Sequence, residues 1–402
     1  STGANLIVQV KNHKVMRVVP LENEAVNECW IADRDRFSYE AVNSEDRLTA
    51  PMLKQGGEWK TVDWQTALEY VANGLKQVKA DHGAGAIGVL ASPHSTVEEL
   101  ALAGALVRGL GSENIDTRLR HADFFNAASP NTARWLGMPI AALSGLQRVL
   151  VVGSNLRKDH PLFAQRIRQA ARKGGQVNAL NAQSQDWAMP VKNTVLADST
   201  HWVSALAGIA NAVGAETGVL APVAAEVNDA ARAIAKSLLG GEHKAILLGN
   251  AAAHHAQASS LLSLANWIAQ QTGATVGYLT EAANTVGAQL VNAVPGQGGL
   301  NAGQMLGGAV KALLLLNTEP AHDSAAGTEG LAGAGMVVTL SPFKTNLDIS
   351  DVLLPIAPFS ETSGSFVNAE GRLQSFHAVV KPLGETRPAW KVLRVLGNLL
   401  GL

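Results

Sequence analysis

The amino-acid sequence predicts an α/β protein in which Rossmann-like lobes with parallel sheets follow a small N-terminal β domain. Three observations predict it. Short continuous apolar runs such as Arg148-Val149-Leu150-Val151-Val152 read as strands buried on both faces. Segments with apolar residues three and four apart alternate with those runs and read as amphipathic helices. The composition agrees, with 402 residues, 47% hydrophobic, 16% charged and 39 glycines, a small-residue bias suited to helices packed closely on a sheet.

The elements come in order along the chain. From the start to about Asn43, β-branched runs at Asn5 to Val10 and Lys14 to Val19 flank the turn-forming Lys11-Asn12-His13, giving a small β unit that must lean on the lobes beyond it. Asp63 is the N-cap of a helix whose apolar stripe is Trp64, Ala67, Leu68, Val71, Leu75 and Val78, ended by Gly83 and Gly85. Ala86 to Ala91 is a short strand. Ser95-Thr96-Val97-Glu98 reads as a capping box opening a helix that closes at Gly109 to Gly111. After the strand Arg148 to Val152 comes the turn Gly153-Ser154-Asn155 and a helix from Pro161 through Arg172. Further strand runs stand at Ala245 to Leu248, before a helix Gln257 to Gln271, and at Ala312 to Leu316, Met336 to Leu340 and Val352 to Ile356. Thr194 to Glu242 reads as Ala-rich helix. Gly273 to Gly308 is Gly- and Asn-rich without period and reads as a long loop near a cleft or an interface. Grouping these runs gives residues 1–48 as the small β domain, 49–140 joined by 281–402 as one α/β lobe, and 141–280 as an inserted lobe.

Charge and cysteine content narrow the function. With 32 Lys+Arg against 33 Asp+Glu, the chain offers no bulk attraction for nucleic acid or an anionic membrane. Its apolar stretches are interrupted before the roughly 20 residues that a membrane span needs. The single cysteine, Cys29, excludes an internal disulfide framework and a self-contained cysteine-ligated metal site. A start without Met and without a signal-peptide pattern reads as a piece of a longer polypeptide.

Candidate chemistry is sparse. Gly153-Ser154-Asn155 and Gly249-Asn250 each follow a strand and could offer backbone N–H groups to a phosphate, although neither is a GxGxxG fingerprint. His254 and His255 point about 100° apart on a helix and are not expected to share an ion. His121, beside Arg118, Arg120 and Asp123, reads as part of a polar helix face or a partner contact. Glu361, in Ser360-Glu361-Thr362-Ser363-Gly364, and Glu370-Gly371-Arg372 read as structural turn residues. No GxSxG elbow is present. No catalytic, cofactor-binding or metal-ligating residue is therefore assigned.

Longer strings carry more information. Ser1-Thr2-Gly3-Ala4-Asn5, Val26-Asn27-Glu28-Cys29-Trp30-Ile31-Ala32-Asp33-Arg34, Asp46-Arg47-Leu48-Thr49-Ala50-Pro51-Met52, Glu113-Asn114-Ile115-Asp116, Val151-Val152-Gly153-Ser154-Asn155-Leu156-Arg157 with His160-Pro161, Arg166-Ile167-Arg168-Gln169-Ala170, Asp351-Val352-Leu353-Leu354-Pro355 and Phe366-Val367-Asn368-Ala369-Glu370-Gly371-Arg372-Leu373-Gln374 occur in this order. Together they resemble the molybdopterin oxidoreductase family. More narrowly, they are similar to the C-terminal half of the large iron–sulfur subunit (the G chain) of NADH:quinone oxidoreductase, respiratory complex I. The resemblance implies domains I–III of the formate dehydrogenase and dimethyl sulfoxide reductase type.

Departures from the family pattern bear on its cofactors. Members with a 4Fe–4S cluster use four cysteines; the third and fourth match Ala4 and Ala32 here, the first two would precede Ser1, and Cys29 lies three positions before the fourth. The molybdenum ligand of active members would match Ala122. Alanine has no thiolate for iron. The resemblance therefore implies a structural and interaction part of complex I that supports electron transfer from NADH through iron–sulfur clusters to quinone, with no cofactor and no active site in this segment. Clusters are then expected in the preceding part. Partners would be other peripheral-arm subunits, with no nucleic acid and no membrane insertion, at the cytoplasmic face of the bacterial inner membrane. The alternative is an active molybdopterin-dependent oxidoreductase such as a formate dehydrogenase.

Overall fold

A computed structural model describes residues 2–124 and 134–402. Readings that touch Ser1 or residues 125–133 lie outside the described residues. The first two strands, β1 (Leu6–Lys11) and β2 (Lys14–Pro20), form an antiparallel hairpin. Asn12 and His13 both take positive φ in its two-residue turn, the conformation that matches strand twist. Only a small apolar cluster, Val15, Val18 and Ile31, lies beneath it.

Two parallel sheets make the body. One is assembled from β3 (Met52–Gln55), β4 (Glu58–Thr61), β5 (Ile87–Ala91), β6 (Ile115–Asp116) and, much later in the chain, β12 (Ala312–Leu316), β13 (Met336–Ser341) and β14 (Val352–Pro355). Its order is β4-β3-β14-β13-β12-β5-β6, and the β3–β4 hairpin brings its antiparallel pairings. The other holds β7 (Arg148–Val152), β8 (Gln176–Asn181), β9 (Asn193–Leu196), β10 (Lys244–Leu248) and β11 (Thr275–Tyr278), all parallel, in the order β11-β10-β7-β8-β9. Strand order reverses beside β7 in this sheet and beside β5 in the larger one, and crevices for ligands open at the carboxyl ends of strands at such points. Every residue of β5, β12, β13 and β14 is buried, as expected of parallel strands covered on both faces.

The expected helices form. Asp63 accepts the Thr66 N–H at 2.8 Å and opens a helix at Trp64–His82. The capping box of Val97–Gly109 is made by Thr96 and Glu99, one residue later than the sequence pattern places it. Pro161–Arg172 agrees with its reading, and the helix read from Gln257 runs over Ala258–Thr272. Three segments differ. Between Thr194 and Glu242 the chain completes the edge strand β9 before the helices Trp202–Thr217 and Asp229–Leu239. The aperiodic stretch from Gly273 begins with β11, a four-residue edge strand containing Gly277, whose Cβ would meet the Leu136 carbonyl. The polar segment after β14 is a hairpin, β15 (Gly364–Val367) with β16 (Leu373–Phe376), and a last helix covers Ala389–Leu400.

Glu361 lies in a turn, as read, with its N–H on the Pro358 carbonyl at 2.9 Å, but its side chain is buried. Its carboxylate forms a bidentate pair with Arg47 at 2.8 and 2.9 Å, with side chains 3% and 2% exposed. Arg47 also donates to the carbonyls of Val42 and Pro342, so the guanidinium satisfies most of its donors in one buried knot. Glu361→Ala strands that charge, and about 3–5 kcal/mol of stability should be lost. Urea unfolding reads the effect, and an unchanged midpoint would show that the pair contributes nothing.

Candidate functional site

The site lies where the carboxyl ends of the two sheets meet. Glu281 stands three residues beyond β11, His254 follows the short helical turn Asn250–Ala253 after β10, and His121 lies in the loop beyond β6. His254 Nε2 is 2.7 Å from Glu281 Oε2, and His121 Nε2 is 3.9 Å from Glu281 Oε1. The two imidazoles meet edge to face with centroids 5.2 Å apart. All three side chains are largely shielded, at 9% exposure for His121, 20% for His254 and 16% for Glu281.

Environment sets their protonation. Burial alone would raise the Glu281 carboxyl, but the hydrogen bond from His254, with the nearby charges, outweighs it and holds the group below the usual carboxylate range. An ionised carboxylate only accepts, so His254 Nε2–H is the donor. Desolvation pushes His121 down to about 3. Nearby, His160 is 2% exposed, faces the Thr280 carbonyl at 2.9 Å, and is pushed down to about 4 mainly by burial.

The helix-face reading of His121 is corrected: it lies on no helix and turns inward. Arg118 pairs with Asp116 at 2.7 Å, Arg120 with Asp323 at 3.4 Å, and Asp123 accepts from the N–H and hydroxyl of Ser259 at the head of Ala258–Thr272. These anchors fix the loop and leave the imidazole as the member that faces Glu281. His255 points elsewhere, toward the Ser199 carbonyl and the Trp202 ring, as the angle between adjacent helical residues requires. Local sequence pattern neither joins His121 to His254 nor singles out Glu281. The one signal it holds is that each follows a strand run by a few residues.

The glycine turns serve packing. Gly153 N–H donates to the Leu180 carbonyl, Ser154 N–H to Asn181 Oδ1, and Asn155 N–H to Asp159 Oδ2, so protein acceptors already hold these three groups. Gly249 N–H donates to the Val152 carbonyl, and a Cβ on Gly249 would meet Ser154 at 2.3 Å. A Cβ on Gly153, which has positive φ, would meet Ala252 N and the Trp202 ring. Close approach of the two turns, rather than of a ligand, accounts for both glycines. Leu156 beyond the first turn is buried, and Arg157 is paired with Asp186.

The positions that match family metal ligands offer nothing to a metal. Ala4 packs at the edge of the Val15, Val18 and Ile31 cluster, Ala32 is 8% exposed, and Cys29 is exposed. Ala122 is an exposed residue next to His121. At the positions that the resemblance matches to metal ligands, the residues bring no thiolate to an iron–sulfur cluster and no side-chain ligand to a molybdenum ion.

Two sheet-and-helix lobes with a β-hairpin preface define an α/β oxidoreductase-type fold, in agreement with the sequence. Residues 47–399 match the family model of the molybdopterin oxidoreductases, so the chain belongs to that family. Residues 1–40 match the NADH-ubiquinone oxidoreductase NDSU1/NuoG-like 4Fe-4S domain. The chain is 24% identical over 99% of its length to the NADH-ubiquinone oxidoreductase 75 kDa subunit of Reclinomonas americana, covering 55% of that protein. It is 28% identical over 93% of its length to an NADH-quinone oxidoreductase subunit of Streptomyces coelicolor, covering 48%. A Staphylococcus aureus relative bearing a putative formate dehydrogenase name is 23% identical over 99% of the chain and 48% of its own length. The chain thus spans about half the length of the curated relatives it matches. Among solved structures, acetylene hydratase from Pelobacter acetylenicus shares the fold, with a TM-score of 0.66 at 14% identity over 99% of this chain and 67% of that one.

His160 makes stability depend on pH. Its native pKa lies below the ordinary 6.5, so the unfolded chain binds a proton that the native state refuses; the stability it supports is full above pH 6.5 and is lost as pH falls toward 4. Between pH 7 and 5 His160 should account for a loss on the order of 2 kcal/mol, so the loss in the parent should exceed that in His160→Gln by about that amount. Urea midpoints at the two pH values test this, and equal midpoints for the parent protein would contradict it.

Proposed function

We propose that this chain is a structural and interaction part of an NADH:quinone oxidoreductase, without an active site of its own. One observation carries the reading: at each of the three places where the family resemblance puts a metal ligand in this chain, the residue is alanine, at Ala4, Ala32 and Ala122. Thiolates are what iron–sulfur clusters need, and three methyl groups supply none. The relatives that match over most of the chain and bear NADH oxidoreductase names support the setting. In it, NADH oxidation and the clusters that pass electrons to quinone belong to other parts of the assembly, and this chain braces that path.

The proposed division is 1–48, 49–140 with 281–402, and 141–280. It is supported by the two separate sheets, since β5 pairs with β12 while β7 pairs with β8 and β10. Partners are peripheral-arm subunits, and the place is the cytoplasmic face of a bacterial inner membrane. Among the described residues no helix is long and apolar enough to cross a membrane, which is consistent with a peripheral position. The formate dehydrogenase name of one relative keeps an active molybdopterin oxidoreductase as the second reading.

Affinity isolation of the chromosomally tagged protein from solubilised membranes separates the two. Co-purification with NADH-oxidising subunits and NADH:quinone activity is expected. A tagged protein that brings down formate oxidation and no NADH dehydrogenase would favour the second reading.

A further inference from the structure

Three separated segments converge on Glu281, and the chemistry they assemble is that of a metal site. We propose that His121, His254 and Glu281 bind one first-row divalent transition cation, of the Zn2+ class, as a staple between the facing edges of the two sheets. One nitrogen from each histidine and one carboxylate oxygen lie within 4.8 Å of one another. Two imidazoles and a carboxylate are the donor set of open zinc sites and of related divalent-metal sites, in which three protein ligands leave room for water.

The separations need little adjustment. Ligand atoms at roughly 2.1 Å from a tetrahedral ion lie about 3.4 Å apart. Here the two histidine-to-carboxylate separations, 2.7 and 3.9 Å, bracket that spacing. The ion would take the place of the proton now held between His254 and Glu281, and side-chain rotation would complete the rest.

His121 supplies the independent observation. Its side chain is only 9% exposed, yet Nδ1 has no hydrogen-bond partner and Nε2 stands 3.9 Å from Glu281, beyond hydrogen-bond reach. A buried imidazole nitrogen without a partner costs free energy, and the Nε2 that faces Glu281 is left open to a ligand. The neighbouring cations oppose binding less than their number suggests. Arg118 and Arg120 are paired with Asp116 and Asp323, and Arg134 lies over the Tyr278 ring. A cavity of about 500 Å³ lies beside the cluster, with His254 in its lining next to Trp202, Ala251 and His255.

The sequence positions set this site apart from the family's own metal. His121 immediately precedes Ala122, where the resemblance puts the molybdenum ligand, and the other two donors follow strands of the second sheet. The three donors stand together whether or not the chain belongs to complex I.

The test is Zn2+ uptake by the full-length protein, measured by calorimetry and by metal analysis after gel filtration, against Glu281→Gln and His254→Ala. The parent is expected to take up one equivalent more than either variant, and Co2+ to give a visible d–d band in the parent-minus-variant difference spectrum. His255→Ala, one residue away, should bind as the parent does. Residual binding in the variants should be weaker by about 100-fold or more, the scale on which even outer contacts of metal sites act. Should His254→Ala fail to fold by circular dichroism, the near-isosteric Glu281→Gln carries the comparison. Equal uptake by parent and Glu281→Gln would overturn the proposal and leave the three residues a hydrogen-bonded cluster.

Discussion

Asn284 is the contact on which the arrangement of the two sheets depends. The side chain is fully buried, and its amide donates to the Ser95 carbonyl at 2.9 Å while its oxygen accepts from Val367 N–H at 2.8 Å. Its own N–H reaches the Pro93 carbonyl. One residue thus ties the loop after β11 to the loop after β5 and to the β15 hairpin. Parallel strands deliver their connecting loops to one edge, and where two such edges face each other the buried backbone groups need partners. Gly287 lacks a Cβ because that atom would strike the Asn284 side chain, so the tie also fixes its own helix. The crevice of His121, His254 and Glu281 exists because these loops are held in register.

The strings that carry the family resemblance are mostly clamps of the same kind. Asn27 donates to the carbonyls of Leu21, Glu28 and Trp30 and accepts from Asn5 N–H. Arg166 and Gln169 of the Pro161 helix both hold the Glu28 carboxylate. Asn368 takes the Thr2 carbonyl, and Gln374 takes that of Gly3. The N-terminal β unit, too small to bury a core, is therefore held from two sides by polar side chains of the lobes. Each such hydrogen bond contributes about 1 kcal/mol, and several acting on one short segment suffice to order it. A family signature can persist for this reason wherever the fold is kept, whatever happens to the chemistry.

Legibility in the sequence follows burial. Strands covered on both faces, such as Arg148–Val152 and Ala312–Leu316, are uninterrupted apolar runs and are read directly. The edge strands Asn193–Leu196 and Thr275–Tyr278 are short and half polar, so their runs blend into neighbouring segments. The hairpins at Met52–Thr61 and Gly364–Phe376 pair across exposed faces and carry no strong alternation. Glu361 is legible as a turn residue, but its buried ion pair is not, because a sequence does not display that Arg47, distant in the chain, lies opposite. The same holds for the histidine–glutamate cluster: the aperiodic Gly273 to Gly308 stretch is legible as a loop near a cleft, but bringing His121 to Glu281 requires the order of two sheets, which no local pattern encodes.

On this account the chain keeps the family's fold and its clamps, while the positions for a pterin-borne metal carry no donor. Denaturing extraction of the purified full-length protein, followed by pterin fluorescence and molybdenum and tungsten analysis, tests it most directly. Neither pterin nor either metal is expected at stoichiometric level. One equivalent of molybdopterin per chain with its metal would contradict the account and make the second reading the correct one.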